Sequence, residues 1–215
     1  MSKRNYHIIN MDTWERKMHC SIFRNSFDPH YCVSFNLDIT TFYHEVKKQG
    51  LPFSLTLIYE VAKCANQIEN FRYRFKDGEV VLYDRIGTSF THLGKGEDLF
   101  KQINVDMQDS LEKYISEAQM AISSQNVYFT APPGNDVFIF SAIPWISFNN
   151  ISHTYSGNKD GASPMFDWGK FIREENKIIL PFSVQVHHSF VDGIHIGKFA
   201  ELLQTRLNQA INITY

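Results

Sequence analysis

The chain has 215 residues, with hydrophobic side chains at 43% and charged ones at 20%. That balance excludes a disordered segment, a coiled coil and a collagen-like fibre, and the length suits one globular domain, residues 1–215. With 21 basic against 23 acidic side chains the net charge is -2, so no strongly basic face is implied and nucleic acid is not expected as a partner. The 18 Phe and 10 Tyr are ample for a core and an apolar pocket.

Three cysteines, Cys20, Cys32 and Cys64, are too few and too irregularly spaced for a disulfide framework, and buried thiols in a reducing cytosol are the simpler reading. The first twenty residues hold basic groups but no apolar core of a signal peptide. The most apolar stretch, Val137 to Phe148, is interrupted by Ser141 and Pro144 and is far below the ~20 residues of a membrane span. A cytoplasmic protein with no membrane partner is expected. Two N-x-S/T matches, at Asn150 and Asn212, carry no weight there.

Met11 to Asn25 reads as a helix opened by Asp12-Thr13 and broken by Phe27-Asp28-Pro29-His30. Tyr31 to Asp38 alternates as a half-buried strand does. Thr40 to Lys48 is a short helix with a polar face, and Ser54 to Ile68 a buried one. Arg72 to Phe75 and Glu79 to Asp84 flank Asp77-Gly78, a hairpin signal. Thr88 to Leu93 reads as a strand and Asp98 to Ile122 as largely helical, ended by Pro132-Pro133-Gly134. Asp136 to Ala142 and Asn176 to Val186 are β-branched and aromatic runs, the second apolar enough to be covered on both faces. A last helix from Gly193 carries Ile196, Phe199, Leu203 and Leu207 on one side. Strands and helices mix without strict alternation, which predicts a layered α/β domain: a mixed sheet packed against helices.

The run Pro181 to His195 is the most informative. A hydrophobic strand enters His187-His188, a tight turn follows, and Asp192-Gly193 stands at the foot of a helix. An imidazole at a strand end, with a carboxylate four residues on, can be held in one tautomer and used as a general base. Two other readings compete. His187 and His188 can be satisfied core residues with Asp192 a helix cap. A metal could also be held by His187, His188, Asp192 and His195, although adjacent strand residues point to opposite faces and no Cys or Glu cluster adds ligands.

The run Gln185-Val186-His187-His188-x-x-x-Asp192-Gly193-x-His195 resembles the signature of the type A chloramphenicol acetyltransferases. Trp14-x-Arg16-Lys17-x-His19 is similar to the family's N-terminal box, Asp38-Ile39-Thr40 to its first strand-to-helix junction, and Phe140-Ser141-Ala142-x-Pro144-Trp145 to its S-A-x-P-W segment. Gly169-Lys170, the run from Asn176 to Pro181 and the final helix also align, so the resemblance spans nearly the whole chain. It implies the two-layer fold of the CoA-dependent acyltransferases and an O-acetyltransferase, with acetyl-CoA as co-substrate, no bound cofactor and no metal.

The resemblance also implies roles. His188 takes the proton of the acceptor hydroxyl as that oxygen attacks the thioester. Ser141 donates a hydrogen bond to the oxyanion. Asp192 pairs with Arg16 and holds the turn. Lys170 lies near the CoA phosphates. Ile22, Phe23, Phe27, Pro29, Tyr31, Thr91 and Phe100 line an apolar acceptor slot. The family is a homotrimer, with His188 from one subunit and most of the slot from its neighbour.

Four positions depart from the family's pattern. The turn reads Ser189-Phe190-Val191 where Ala-[VI]-Cys is usual, and Asp167 stands where a threonine is thought to bind an oxyanion-associated water. Phe171 replaces a tyrosine after the lysine, and Thr91-His92-Leu93-Gly94 replaces T-[VI]-F-H. A carboxylate near a developing oxyanion opposes it unless it turns away or is protonated. The departures leave three acceptor hypotheses: chloramphenicol, another small hydroxylated compound, or a trimeric binder without catalysis.

Overall fold

A computed structural model describes residues 5–130, 134–153 and 157–211. Its longest strand, β10 (Lys177–His187), is buried along nearly its whole length. β2 (His30–Asp38) pairs with it antiparallel, from Ile179 opposite Asp38 to His187 opposite His30. On its other side β8 (Met165–Gly169) is antiparallel, and β7 (Val137–Ile143), β5 (Gly87–His92) and β6 (Lys101–Val105) follow outward. The β7–β8 and β5–β7 pairs are parallel, so the sheet is mixed. β9 (Ile172–Glu174) folds back on the start of β10. A separate three-stranded sheet has the order β1 (Tyr6–Ile8), β4 (Glu79–Tyr83), β3 (Tyr73–Lys76). The helices are α1 (Lys17–Arg24), α2 (Thr40–Lys48), α3 (Phe53–Asn66), α4 (Leu111–Ser124) and α5 (Gly193–Leu207).

Side-chain alternation separates the two faces of the large sheet. On the helix side Phe166 is the hub: the rings of Phe71, Phe138, Phe140, Phe182 and Phe199 all lie within 6.2 Å of it, centroid to centroid. Burying each such ring contributes ~2–3 kcal/mol, which is what seats α5 on the sheet. The buried carboxylate of Glu60 in α3 accepts from Arg206 of α5 at 2.6 and 3.0 Å and ties the two helices together. On the opposite face one register row is polar: Ser141, Asp167, Ser183 and Ser34 from β7, β8, β10 and β2.

The predicted α2, α3, α5, β2, β5, β7 and β10 agree with the structure to within a few residues. The hairpin turns at Asp77-Gly78, both with positive φ, as the Asp-Gly signal requires. Two expectations need correction. The first helix begins at Lys17, not near Met11, because Asn10 starts a separate turn: its side chain accepts from the Asp12 N–H and its carbonyl from Trp14. Trp14 is thereby turned onto Tyr73 and Phe190. The segment from Asp98 is not helical throughout. Lys101–Val105 is β6, hydrogen-bonded to β5, and helix α4 starts only after Ser110, whose hydroxyl accepts from the Lys113 N–H. Pro132, Pro133 and Asn212 lie outside the described residues.

One buried group had no sequence signal. Arg74 of β3 donates to the carbonyls of Asn135, Phe71, Tyr73 and Val137. It links the small sheet to the entry of β7, and burial pulls its pKa down to about 9.

Candidate active site

The turn from β10 to α5 is held by one guanidinium. Arg16 donates to Asp192 at 2.5 Å and 2.7 Å, to the Ser189 carbonyl at 2.7 Å and to the His188 carbonyl at 3.0 Å. This pairing, with Asp192 at the positive end of α5, holds the carboxyl below the usual range. His188 is anchored on its other side by its N–H, which donates to Pro29 O at 2.9 Å. Its ring stacks on Phe23 at 3.7 Å between centroids and lies 4.6 Å from the ring of Tyr31. Nδ1 is 3.2 Å from Asp192 Oδ1, yet no hydrogen bond forms: the carboxylate faces Arg16. Packing and two backbone hydrogen bonds orient this imidazole more than the carboxylate four residues on.

The neighbouring histidines are structural. His187 is buried, its Nδ1 accepts from the Ser189 N–H and its Nε2 lies 2.8 Å from Lys159 O. Burial pulls its pKa down to about 4. His195 Nδ1 accepts from the Asp192 N–H at 2.9 Å, and burial holds this imidazole below its usual range too. The side chains of His187 and His188 turn into different surroundings, as strand alternation predicts.

Ser141 lies elsewhere. Near the end of β7, it lines a cavity of about 1290 Å³ with Thr91, Phe100, Trp145 and Trp168. That exceeds the roughly 300–1,000 Å³ of common small-molecule pockets, so there is space for more than one ligand. His188 is not in its wall. Ser141 is aligned with Asp167, and Asp167 with Ser183 of β10, two strands away or roughly 10 Å. His188 is a further five residues along the chain, roughly 17 Å at strand rise. By this spacing the two backbone positions are roughly 20 Å apart within one chain, too far for their side chains to act on one reacting carbon.

The expected slot residues divide likewise. Thr91 and Phe100 stand with Ser141, whereas Phe23 and Tyr31 pack on His188 of the same chain. Most of the slot is expected from a neighbouring subunit; Phe23 and Tyr31 reach His188 within the same chain. Ile22 and Phe27 are exposed, Phe27 at 89%, while Pro29 is buried and contributes its carbonyl. Lys170 is exposed, and its N–H donates to Ile146 O at 2.8 Å.

A second pair was missed by sequence reasoning. Asp167 is fully buried, with Oδ2 2.9 Å from Nε2 of His153. The carboxylate raises the His153 pKa above the ordinary imidazole range. The one signal was the unusual Asp167 itself, which calls for a cationic neighbour once buried; nothing in the sequence pointed to His153.

The braced imidazole and the serine-lined cavity sit on a mixed sheet whose fold is shared with solved acetyltransferases. The structure of a probable dihydrolipoamide acetyltransferase from Listeria monocytogenes shares the fold at TM-score 0.65 and 15% identity, covering 95% of this chain and 97% of that one. A solved chloramphenicol acetyltransferase reaches TM-score 0.83 at 27% identity, covering 94% of this chain and all of that one. The family model for chloramphenicol acetyltransferase matches residues 4–204. Chloramphenicol acetyltransferase 2 of Escherichia coli is 29% identical over 205 residues, 93% of this chain and 96% of that protein. Its namesake from Haemophilus influenzae is 30% identical with the same coverage. The chain belongs to the chloramphenicol acetyltransferase family. Among the described residues no helix is long and apolar enough to cross a membrane.

Proposed function

We propose that the protein is a single-domain, acetyl-CoA-dependent chloramphenicol O-acetyltransferase of the cytoplasm, acting as a homotrimer and conferring antibiotic resistance. The observation that carries this reading is the separation of His188 from Ser141 within one chain. A site that uses both needs His188 from one subunit facing the Ser141 cavity of its neighbour, and a cyclic assembly repeats that contact around a ring.

At such a boundary His188 accepts the proton of the acceptor hydroxyl while its oxygen bonds to the thioester carbon. The carbonyl electrons move to oxygen, and the Ser141 hydroxyl donates to that oxyanion, an interaction commonly worth ~3 kcal/mol. Collapse breaks the carbon–sulfur bond, and the CoA sulfur takes the proton from His188. The products are an acetyl ester and free CoA. Asp192 and Arg16 keep the ring in place, the aromatic groups Phe23, Phe27, Tyr31 and Phe100, with Ile22, Pro29 and Thr91, favour a flat acceptor, and Lys170 meets the CoA phosphates.

The test is thiol release from acetyl-CoA with chloramphenicol. Wild type turns over, and His188→Ala loses ~10²–10⁴-fold in kcat while keeping its melting temperature. Turnover of other hydroxylated compounds but not chloramphenicol would move the acceptor assignment, and tight acceptor binding without thiol release would make the protein a binder.

A further inference from the structure

Asp167 is beside Ser141 in the parallel β7–β8 register, and Ser183 of β10 is its neighbour on the other side. Side chains paired in this way share a face of the sheet. The Asp167 carboxylate is fully buried; Oδ2 meets His153 Nε2, and among the described residues Oδ1 has no hydrogen-bond partner. A buried carboxylate left half-satisfied is costly unless a cation offsets it.

His153 is positioned to be that cation. Its side chain is 18% exposed and sits on the segment between β7 and β8. That segment is pressed onto the end of β8: the Lys170 N–H donates to Ile146 O, and a Cβ at Gly169 would come within 2.8 Å of the same oxygen. Across β10 from Asp167, Cys32 of β2 is a titratable group that feels this carboxylate. Its thiol lies 2.9 Å from Ser183 Oγ, and burial pushes its pKa up, so it is uncharged at neutral pH. The adjacent strands contribute only the hydroxyls of Ser141 and Ser183 to this row.

A bare carboxylate beside Ser141 would harm acetyl transfer twice. It would draw the serine hydrogen away from the cavity, and it would repel the oxyanion. Both effects fade when the neighbouring imidazole carries a proton. We propose that His153 is a positioning residue for acetyl transfer, an imidazolium that neutralises Asp167 and leaves the Ser141 hydroxyl free for the oxyanion. This rests on the role given to Ser141 above. It carries a consequence for pH: once His153 deprotonates on the alkaline side of its raised pKa, kcat falls.

The experiment measures thiol release from acetyl-CoA and chloramphenicol at roughly pH 6 to 9, a span that brackets imidazole titration. It uses wild type, Ser141→Ala, His153→Gln, Asp167→Asn and the double variant His153→Gln/Asp167→Asn. His153→Gln is expected to lower kcat ten- to hundredfold with KM for acetyl-CoA unchanged. The double variant is expected to regain most of that loss, and Asp167→Asn to lack the alkaline fall. Because His153→Gln can disturb folding, an NMR titration of His153 in wild type and in Asp167→Asn is the second measurement, and the pKa is expected to drop in the variant. With Ser141→Ala slow, any of three results overturns this inference alone: wild-type kcat and pH profile in His153→Gln, no recovery in the double variant, or an unshifted His153 in wild type. Ser141→Ala as fast as wild type overturns the role of that serine and this inference with it.

Discussion

Replacing Arg16 by Gln removes the brace of the β10–α5 turn. Two of its contacts are to a carboxylate at 2.5 and 2.7 Å and two are to backbone carbonyls at 2.7 and 3.0 Å. The Arg16 side chain is 14% exposed and that of Asp192 32%, so the pair lies between the surface and buried limits. Exposed pairs contribute ~0–1 kcal/mol, while breaking a fully buried one costs ~3–5, so ~2 kcal/mol is reasonable here. The two carbonyls add ~1 kcal/mol. A total near ~3 kcal/mol lowers the melting temperature by roughly 6–12 °C in a chain of this size. The rate suffers separately. His188 keeps its bond to Pro29 O but loses the one to its own carbonyl, and a ring misplaced by ~1 Å costs about a hundredfold in kcat. Arg16→Lys is not expected to rescue either effect, because an ammonium cannot span two carboxylate oxygens and two carbonyls at once. Calorimetry and thiol release on both variants are the assays. Arg16→Gln with an unchanged melting temperature and kcat within about twofold of wild type would refute the reasoning, since a hundredfold loss follows from geometry alone.

Two further predictions concern stability. His187 stays neutral in the folded protein down to about pH 4, whereas in the unfolded chain it takes up a proton near its ordinary value of 6.5. The unfolded state therefore binds more protons between those values, and ~3 kcal/mol of stability is lost as pH falls from about 6.5 to about 4. Urea midpoints measured across that span should decline in wild type and flatten in His187→Asn. Arg74→Met leaves the buried carbonyls of Phe71, Tyr73 and Val137, and the more exposed one of Asn135, without their donor, and a loss of ~3 kcal/mol in urea unfolding is expected; a loss below ~1 would mean that the carbonyls find other partners.

The elements that could be read in the sequence are those whose local chemistry and tertiary surroundings agree. β10 is a long β-branched run buried on both faces, and Asp77-Gly78 demands its own turn. α5 repeats apolar residues at helical spacing over Ile196, Phe199, Leu203 and Leu207. β6 is not legible because Ile103 and Val105 are too short an apolar pattern by themselves and gain their strand context from pairing with β5. β8 was hidden because its five residues include a buried Asp and a Gly, which breaks the apolar alternation. The first helix was overextended because Asn10 competes for the backbone with a turn of its own. The site was legible as residue types, but not as distances. That Arg16 reaches two carbonyls besides Asp192, that His153 serves Asp167, and that His188 and Ser141 face different regions all depend on pairings 14 to 176 residues apart in sequence.

Subunit mixing tests the central claim most directly. His188→Ala and Ser141→Ala chains are purified separately, unfolded, and refolded together at equal amounts. If each site joins His188 of one subunit to Ser141 of its neighbour, about a quarter of the sites in random assemblies carry both intact groups. The mixture should then recover about that share of wild-type thiol release, far above either variant alone. Recovery no greater than the average of the two separate variants would contradict the account.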